Sequence, residues 1–145
     1  MKVILGCDHA AFEAKEELKK YLEESHEVID VGTYSSKRCN YPDFATKLVK
    51  VVLGENIKGI LICGSGIGVS MAANRYSGIR AALCRSPKEA ELSIQHNNAN
   101  VLCLGGRINT SDQLKDIAGA WFKAEFEGGR HSERLALFED LGERL

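Results

Sequence analysis

A glycine-rich turn after an apolar run is the strongest chemical signal in the 145-residue sequence. Residues 60–63 are apolar and predict a buried strand, and Gly64, Gly66 and Gly68 follow directly. Such a turn exposes backbone N–H groups, and a helix that begins after it adds a partial positive charge. The pattern predicts a cradle for a phosphate or an oxyanion. The alternative is a tight turn that needs glycine only for its positive φ.

Three familiar loops do not fit this turn. A Walker loop needs Gly-Lys followed by Ser or Thr, which is absent, and a dinucleotide fingerprint needs a third glycine where Val69 stands. A cysteine phosphatase loop needs an arginine six residues after Cys63, and that position is also Val69. The turn therefore indicates anion binding in another setting.

Candidate acid–base groups stand near this turn and at two other element ends. Cys63 closes the strand; a thiol beside a helix N-terminus can act as a nucleophile or base, although most free cysteines are small buried hydrophobes. Asp8 and His9 follow the first predicted strand and either contact a ligand or cap the next helix. His96 closes a predicted helix, where complementing the helix dipole is the default role for that residue alone.

A basic cluster opens the last predicted helix. Arg130 and Arg134 are four residues apart and therefore share one helix face. Positive charge at a helix N-terminus is unfavourable, and a bound phosphate would remove this conflict. Pairing with Glu127 or Glu133 is the alternative, and Arg107 could join the same anion site.

The elements that must position these residues alternate along the chain. Predicted strands are residues 3–5, 28–31, 60–63, 79–84 and 101–104, and they are apolar throughout, which is typical of a parallel sheet covered on both faces. Apolar residues at helical spacing predict helices between the strands at Ala11–Leu22 and Phe44–Val52. Two further helices are predicted to begin at the capping boxes Ser86–Glu89 and Thr110–Gln113. A last helix is predicted to carry Leu135, Phe138, Leu141 and Leu145.

This alternation predicts one domain over residues 1–145: a doubly wound, Rossmann-like α/β/α sandwich with a five-stranded parallel sheet. In such sheets ligands bind at the carboxyl ends of the strands. That rule selects five segments as the candidate site: Cys7-Asp8-His9, the Gly32–Tyr41 loop, Cys63–Gly68, Arg85-Ser86 and Gly105–Arg107.

Composition excludes several classes of function. Nineteen Lys and Arg against twenty Asp and Glu leave a formal net charge of −1, which gives no field for nucleic acid or an anionic membrane. No apolar run approaches the roughly 20 residues of a membrane span. The five cysteines form no C-x-x-C pair, so we expect reduced thiols in a cytoplasmic protein, with neither a disulfide framework nor a cluster of metal ligands.

Taken together, eight motifs resemble a known family over nearly the whole chain. They are Cys7-Asp8-His9-Ala10, Gly32-Thr33-Tyr34-Ser35, Tyr41-Pro42-Asp43, Ile62-Cys63-Gly64-Ser65-Gly66-Ile67-Gly68, Ala72-Ala73-Asn74-Arg75, Gly78-Ile79-Arg80-Ala81, His96-Asn97-Asn98-Ala99-Asn100 and Gly128-Gly129-Arg130-His131. The sequence resembles the type B ribose-5-phosphate isomerases, whose family also includes allose-6-phosphate isomerase and galactose-6-phosphate isomerase subunits. One branch of this family uses a glutamate where Ile67 stands, so the chain is similar to the cysteine-dependent branch.

The resemblance implies an aldose–ketose isomerase of the pentose phosphate pathway that converts ribose 5-phosphate to ribulose 5-phosphate through an enediolate. It implies neither a metal nor an organic cofactor. Cys63 would be the base, and His96, with Ser65 nearby, the acid that opens the sugar ring. Amides from Gly64 through Ser65, Gly66 and Ile67 to Gly68 would hold the enediolate.

The resemblance also implies how substrate and partner bind. Asp8, His9 and Asn97 would contact the sugar, and Arg107, Arg130 and Arg134 the phosphate, with help from His9 or His131. The family forms homodimers or dimers of dimers with sites shared across the interface. A hexose-6-phosphate isomerase is the alternative enzyme, and a phosphosugar-binding module without catalysis is the alternative outside enzymes.

Overall fold

The computed structural model describes all 145 residues. Its strands are β1 (Lys2–Cys7), β2 (Glu27–Asp30), β3 (Lys58–Cys63), β4 (Ala81–Leu83) and β5 (Val101–Gly105). Its helices are α1 (Phe12–Glu23), α2 (Tyr41–Glu55), α3 (Ile67–Ala73), α4 (Pro87–Gln95), α5 (Ser111–Lys123) and α6 (Arg130–Ala136), and a single 3-10 turn covers His9–Ala11. None of these helices is both long enough and apolar enough to cross a membrane.

The five strands form one parallel sheet in the order β2-β1-β3-β5-β4. The predicted fold class is therefore confirmed. The chain moves outward from β1 to β2 and then returns to β3 on the other side of β1. This reversal opens a crevice between the carboxyl ends of β1 and β3, which is the usual ligand position in doubly wound sheets.

Helices cover both faces of the sheet. On one face α1, α4 and α5 bury a cluster that includes Leu18, Ile94 and Trp121. On the other face α2 and α3 bury a second cluster that includes Leu48 and Val69. Because β1, β3 and β5 lie between two apolar layers, nearly every residue in them is buried, as their unbroken apolar runs predict.

The predicted helix starts differ in detail from those observed. At Thr110 both halves of the capping box form: its hydroxyl accepts the Gln113 N–H, and the Gln113 side chain accepts the Thr110 N–H. At Ser86 only the first half forms, because the Glu89 carboxylate accepts the N–H of Arg85 instead. The capping box predicted at Ser86–Glu89 is therefore only half formed.

The prediction that the last helix extends to Leu145 is wrong. Helix α6 ends at Ala136, so Phe138, Leu141 and Leu145 lie outside it. Backbone bonds draw the chain end towards the segment before β4, since the N–H of Glu143 donates to Arg75 and the carbonyl of Glu143 accepts from Ser77. Strand β4 is also shorter than the predicted 79–84.

Two glycines of α2 and β3 offer a matched stability test. A Cβ at Gly59 would lie 2.7 Å from Leu48 Cδ2 and 2.9 Å from Val52 Cγ2, whereas a Cβ at Gly54, near the end of α2, would meet nothing within 4 Å. We expect Gly59→Ala to lower the free energy of unfolding by about 1–3 kcal/mol through overpacking. Gly54→Ala should raise it by about 0.5–1 kcal/mol, because alanine favours the helix. Urea unfolding measures both, and an unchanged Gly59→Ala variant would contradict the close packing of α2 on β3.

Candidate active site

Cys63 lies at the mouth of the glycine turn. Its side chain is buried, and its Sγ accepts the N–H of Gly66 at 3.1 Å. The backbone is fixed from the β5 side, because the carbonyls of Cys63 and Gly64 accept the N–H groups of Gly106 at 2.8 Å and Arg107 at 3.0 Å. The sulfur therefore points into the turn from a rigid support.

Part of the predicted amide cradle is open. The N–H groups of Gly66 and Ile67 already donate within the chain, to Cys63 Sγ and to the hydroxyl of Ser65. The N–H groups of Gly64, Ser65 and Gly68 have no partner in the chain. Three donors thus remain for an oxyanion beside the sulfur.

The glycines also meet the conformational demand that the alternative interpretation named. Gly66 has φ +77°, and a Cβ there would lie 2.8 Å from the backbone of Leu104. A Cβ at Gly68 would lie 2.6 Å from the ring of Tyr41. The turn therefore needs glycine for its conformation and also offers N–H groups to an anion, because the tight turn is what exposes the free amides.

Asp8 and His9 lie beside Cys63 at the same sheet edge. The N–H of Asp8 donates to Ile62 at 3.3 Å, which joins the end of β1 to the end of β3. The Asp8 carboxylate accepts the N–H of Ala10, so its predicted capping role is confirmed. His9 Nδ1 accepts the N–H of Cys39 at 3.2 Å, which leaves its Nε2 as the ring nitrogen available to a ligand.

Two side chains that the strand-end rule selects, Arg85 and Tyr41, contact the glycine turn. The guanidinium of Arg85 donates to the carbonyl of Ser65 and so supports the glycine turn from below. The Tyr41 ring packs on Gly68. Both residues carry a signal in the sequence, since Arg85 follows a strand and Tyr41 begins a family motif, but neither pattern states a contact.

A second cluster forms around His96 at the end of α4. The N–H of Glu127 donates to the carbonyl of Gln95 at 3.0 Å and joins the segment before α6 to the end of α4. The rings of His96 and His131 stack with centroids 4.5 Å apart. Glu127 Oε1 lies 3.6 Å from His96 Nε2 and 3.7 Å from His131 Nε2.

The charges of this cluster act on His131. Burial lowers the pKa of its imidazole from the ordinary value of 6.5, and positive charge on His96, Arg130 and Arg134 lowers it further, while Glu127 raises it. Neither Arg130 nor Arg134 pairs with a carboxylate, so the predicted alternative of pairing with Glu127 or Glu133 does not occur. Both guanidinium groups are exposed and available to an anion.

The two clusters lie at opposite ends of the strands: the His96 cluster at the amino ends and the Cys63 cluster at the carboxyl ends. Residues that follow His96 bond to the amino end of β3, where the N–H of Gly59 donates to Asn100. Cys63 is at the carboxyl end, four residues further along, or roughly 13 Å at 3.3 Å per residue. Within one chain, therefore, His96, Asn97, Arg130 and Arg134 do not meet Cys63, and Arg107 lies with the Cys63 cluster instead of with the other arginines.

Asn97 lies in an open groove of about 880 Å³. The groove runs between the β4 edge of the sheet and α6, and its walls include Arg80, Phe126 and Leu135.

Three other thiols are unsuited to acid–base work. Burial raises the pKa of Cys7 to about 12 and that of Cys84 to about 11, and it raises the pKa of Cys103 as well. All five cysteines are free, and Cys39 is half-buried in a loop. Cys63 is thus the one thiol that faces free amide donors.

The sequence predicts no metal site, and the fold brings three side chains with metal-ligating atoms together. Donor atoms of His96, Glu127 and His131 all lie within 4.8 Å of one another. No spacing pattern indicates this set, because His96 is far from the other two residues along the chain and reaches them only through the fold.

A doubly wound sheet whose switch point carries a cysteine, an amide cradle and basic side chains defines an α/β enzyme for a small anionic substrate. The model of the Ribose/Galactose Isomerase family matches residues 3–138. The chain therefore belongs to this family of isomerases, as its motifs predict.

Individual relatives match the chain over its full length. Ribose-5-phosphate isomerase B of Escherichia coli is 45% identical over 99% of this chain and 97% of its own. A solved ribose 5-phosphate isomerase from Thermotoga maritima has a TM-score of 0.94 at 46% identity, with 97% and 98% of the two chains covered. Ribose-5-phosphate isomerase B from Mycoplasma genitalium, solved with bound ribulose-5-phosphate, has a TM-score of 0.89 at 40% identity, with 94% and 92% covered.

The histidine cluster generates a pH prediction. Glu127→Gln should lower the pKa of His131 further, because the variant removes the one charge that raises it. Imidazole NMR titration measures this shift, and Glu125→Gln, which removes an exposed carboxylate two residues away, is the matched control. An unchanged pKa in Glu127→Gln would contradict the electrostatic coupling.

The sign of the effect on stability follows from proton linkage. The folded chain binds fewer protons at His131 than the unfolded chain between the lowered pKa and 6.5. Unfolding therefore takes up a proton in this window, and the contribution of His131 to stability is lost as the pH falls.

Proposed function

We propose that the chain interconverts D-ribose 5-phosphate and D-ribulose 5-phosphate. The observation that carries this proposal is Cys63 Sγ beside three free backbone N–H groups at the switch point of the sheet. Proton abstraction next to a carbonyl needs a positioned base and donors for the developing oxyanion, and this edge supplies both. The names of full-length relatives support the same substrates.

In the proposed mechanism His96, assisted by Ser65, donates a proton to the ring oxygen, the bond between C1 and that oxygen breaks, and the hydroxyl on C1 gives its proton to water to leave the aldehyde. The Cys63 thiolate then removes the proton from C2 of the aldehyde, and the electrons move onto O1. The amides of Gly64, Ser65 and Gly68 stabilise the resulting enediolate. Cys63 returns its proton to C1, and a proton moves from O2 to O1 to give the ketose.

Substrate recognition divides between the two clusters. Asp8, His9 and Asn97 bind the sugar, while exposed guanidinium groups at Arg107, Arg130 and Arg134 bind the phosphate, with His9 or His131 assisting. Such groups suit forked contacts to a phosphate. The reaction as written draws only on side chains and amides of the protein, and the proposal includes no metal and no organic cofactor.

We further infer a homodimer, alone or paired into a dimer of dimers, with each site built from two chains. The separation of Cys63 from His96 within one chain supports this, since the mechanism needs both groups on one sugar. Exposed apolar side chains on the chain end, Leu137 at 78% and Leu141 at 64%, also suit burial against another copy. The enzyme would act in the cytoplasm, in the pentose phosphate pathway, without nucleic acid or membrane as a partner.

Removal of the proposed base tests the chemistry. Cys63→Ala should lower kcat for ribose 5-phosphate by about 100-fold or more, the usual scale for a lost general base. Assays in EDTA should leave the wild-type rate unchanged. Cys84→Ala, which removes a buried thiol at the same sheet edge, is the matched control and should remain active.

A second substrate identifies the alternative enzyme. Faster turnover of allose 6-phosphate than of ribose 5-phosphate would move the assignment to a hexose-6-phosphate isomerase. Tight sugar-phosphate binding with turnover of neither would indicate a binding module, and a Cys63→Ala variant with the wild-type rate would reject the proposed base.

Subunit complementation tests the shared site. Cys63→Ala and His96→Ala should each be inactive alone, and chains unfolded together and refolded should regain about a quarter of the wild-type rate, because half of the dimers then contain one intact site of two. Two such variants of a site contained within one chain would recover nothing on mixing. The expected regain therefore separates the two arrangements directly.

A further inference from the structure

We propose that His96, Glu127 and His131 form a reversible binding site for a divalent transition-metal ion of the Zn²⁺ class. The three side chains offer two imidazole nitrogens and one carboxylate oxygen, all within 4.8 Å of one another. This donor set is one that zinc takes in three-ligand protein sites, with a fourth position left for water or a substrate oxygen.

Two of the three donor–donor separations are close to those of a coordination shell, and the third, between the two imidazole nitrogens, lies within 4.8 Å. Bonds of about 2.0–2.1 Å at tetrahedral angles place neighbouring donor atoms about 3.3–3.4 Å apart. Glu127 Oε1 lies 3.6 Å from His96 Nε2 and 3.7 Å from His131 Nε2. Each of these separations therefore needs to close by only a few tenths of an ångström.

The fold holds the carboxylate between the two rings. The N–H of Glu127 donates to the carbonyl of Gln95, the residue before His96. His131 follows Glu127 by four residues, on the first turn of α6, and its side chain is buried. Packing thus holds the His131 ring and a backbone bond holds the main chain of Glu127, which lowers the cost of ordering these donors around an ion.

One ring must rotate. The imidazoles of His96 and His131 are nearly parallel, at 15°, whereas a shared ion must lie close to the plane of both. His96 is 40% exposed and closes its helix, so it is the ring with room to turn.

Nearby charge sets the strength of the site. Arg130 and Arg134 act on His131 as positive charges and oppose a cation, while Glu127 favours it. One carboxylate against two guanidinium groups makes the site weaker than a structural zinc centre. We therefore expect the metal ion to bind reversibly and not to remain permanently bound.

Occupation would block the enzyme, in a step that rests on the proposed function. An ion on His96 takes the lone pair and the position of the proposed ring-opening acid. Zinc should therefore inhibit the isomerase, and chelation should restore the rate. Binding itself is independent of any activity, and it is the direct test.

The test titrates the full-length chain with Co²⁺ and follows its visible absorption, with Zn²⁺ binding measured by calorimetry in parallel. We expect one ion per chain and d–d bands without the intense near-ultraviolet absorption of a thiolate ligand. Glu127→Gln and His96→Gln should weaken binding by about tenfold or more. Glu125→Gln is the matched control, and circular dichroism establishes that each variant is folded.

Three outcomes would overturn the proposed metal site. Thiolate absorption would assign the ion to a cysteine, such as Cys63 or Cys39. Equal affinity in Glu127→Gln and Glu125→Gln would remove the carboxylate from the site, and no saturable binding would reject the site altogether. A chain that binds the ion but turns over no sugar phosphate would reject only the proposed function.

Discussion

The burial of β3 between β1 and β5 is the constraint on which the rest of the molecule depends. Residues Ile60 to Ile62 have no exposed surface, and both neighbouring strands bond to them in parallel register. This register sets Cys63 opposite Gly105, from where the β5 loop holds the glycine turn by two backbone bonds. Strand pairing therefore positions the functional groups at the carboxyl ends of the strands. Because the loop after β5 holds the glycine turn in place, the N–H groups of the turn remain available as donors.

Side-chain hydrogen bonds hold the loops at the amino ends of the strands together. The side chain of Asn100 accepts the N–H of Arg80 and donates to the carbonyl of Gly78, each at 2.8 Å, while Arg80 Nε donates to the carbonyl of Asn98. These bonds join the loop after His96 to the segment before β4. Several of the motif residues thus act as structural ties between loops, and they keep His96 in place at the edge.

The success of sequence reasoning follows from the range of each interaction. Strands β1, β3 and β5 were predictable because burial on both faces requires unbroken apolar runs. The start of α5 was predictable from Thr110, because capping depends only on residues close in sequence. The end of α6 was not predictable from its stripe, since bonds between Glu143 and distant residues decide it. Likewise, Cys63 and its turn were evident from spacing, while the meeting of His96 with Glu127 depends on the backbone bond that joins the segment before α6 to the end of α4.

Separation of the two clusters also makes chemical sense. A thiolate in contact with an imidazolium is held as an ion pair, which lowers its strength as a base towards carbon. In one chain the sheet keeps Cys63 away from His96, and the sulfur meets only amide donors. In the proposed dimer the sugar lies between base and acid, so each group acts on a different atom of the substrate. The carboxylate of Glu127 lies near the two histidines at the amino ends of the strands, so its negative charge is kept away from the amide donors proposed to hold the enediolate.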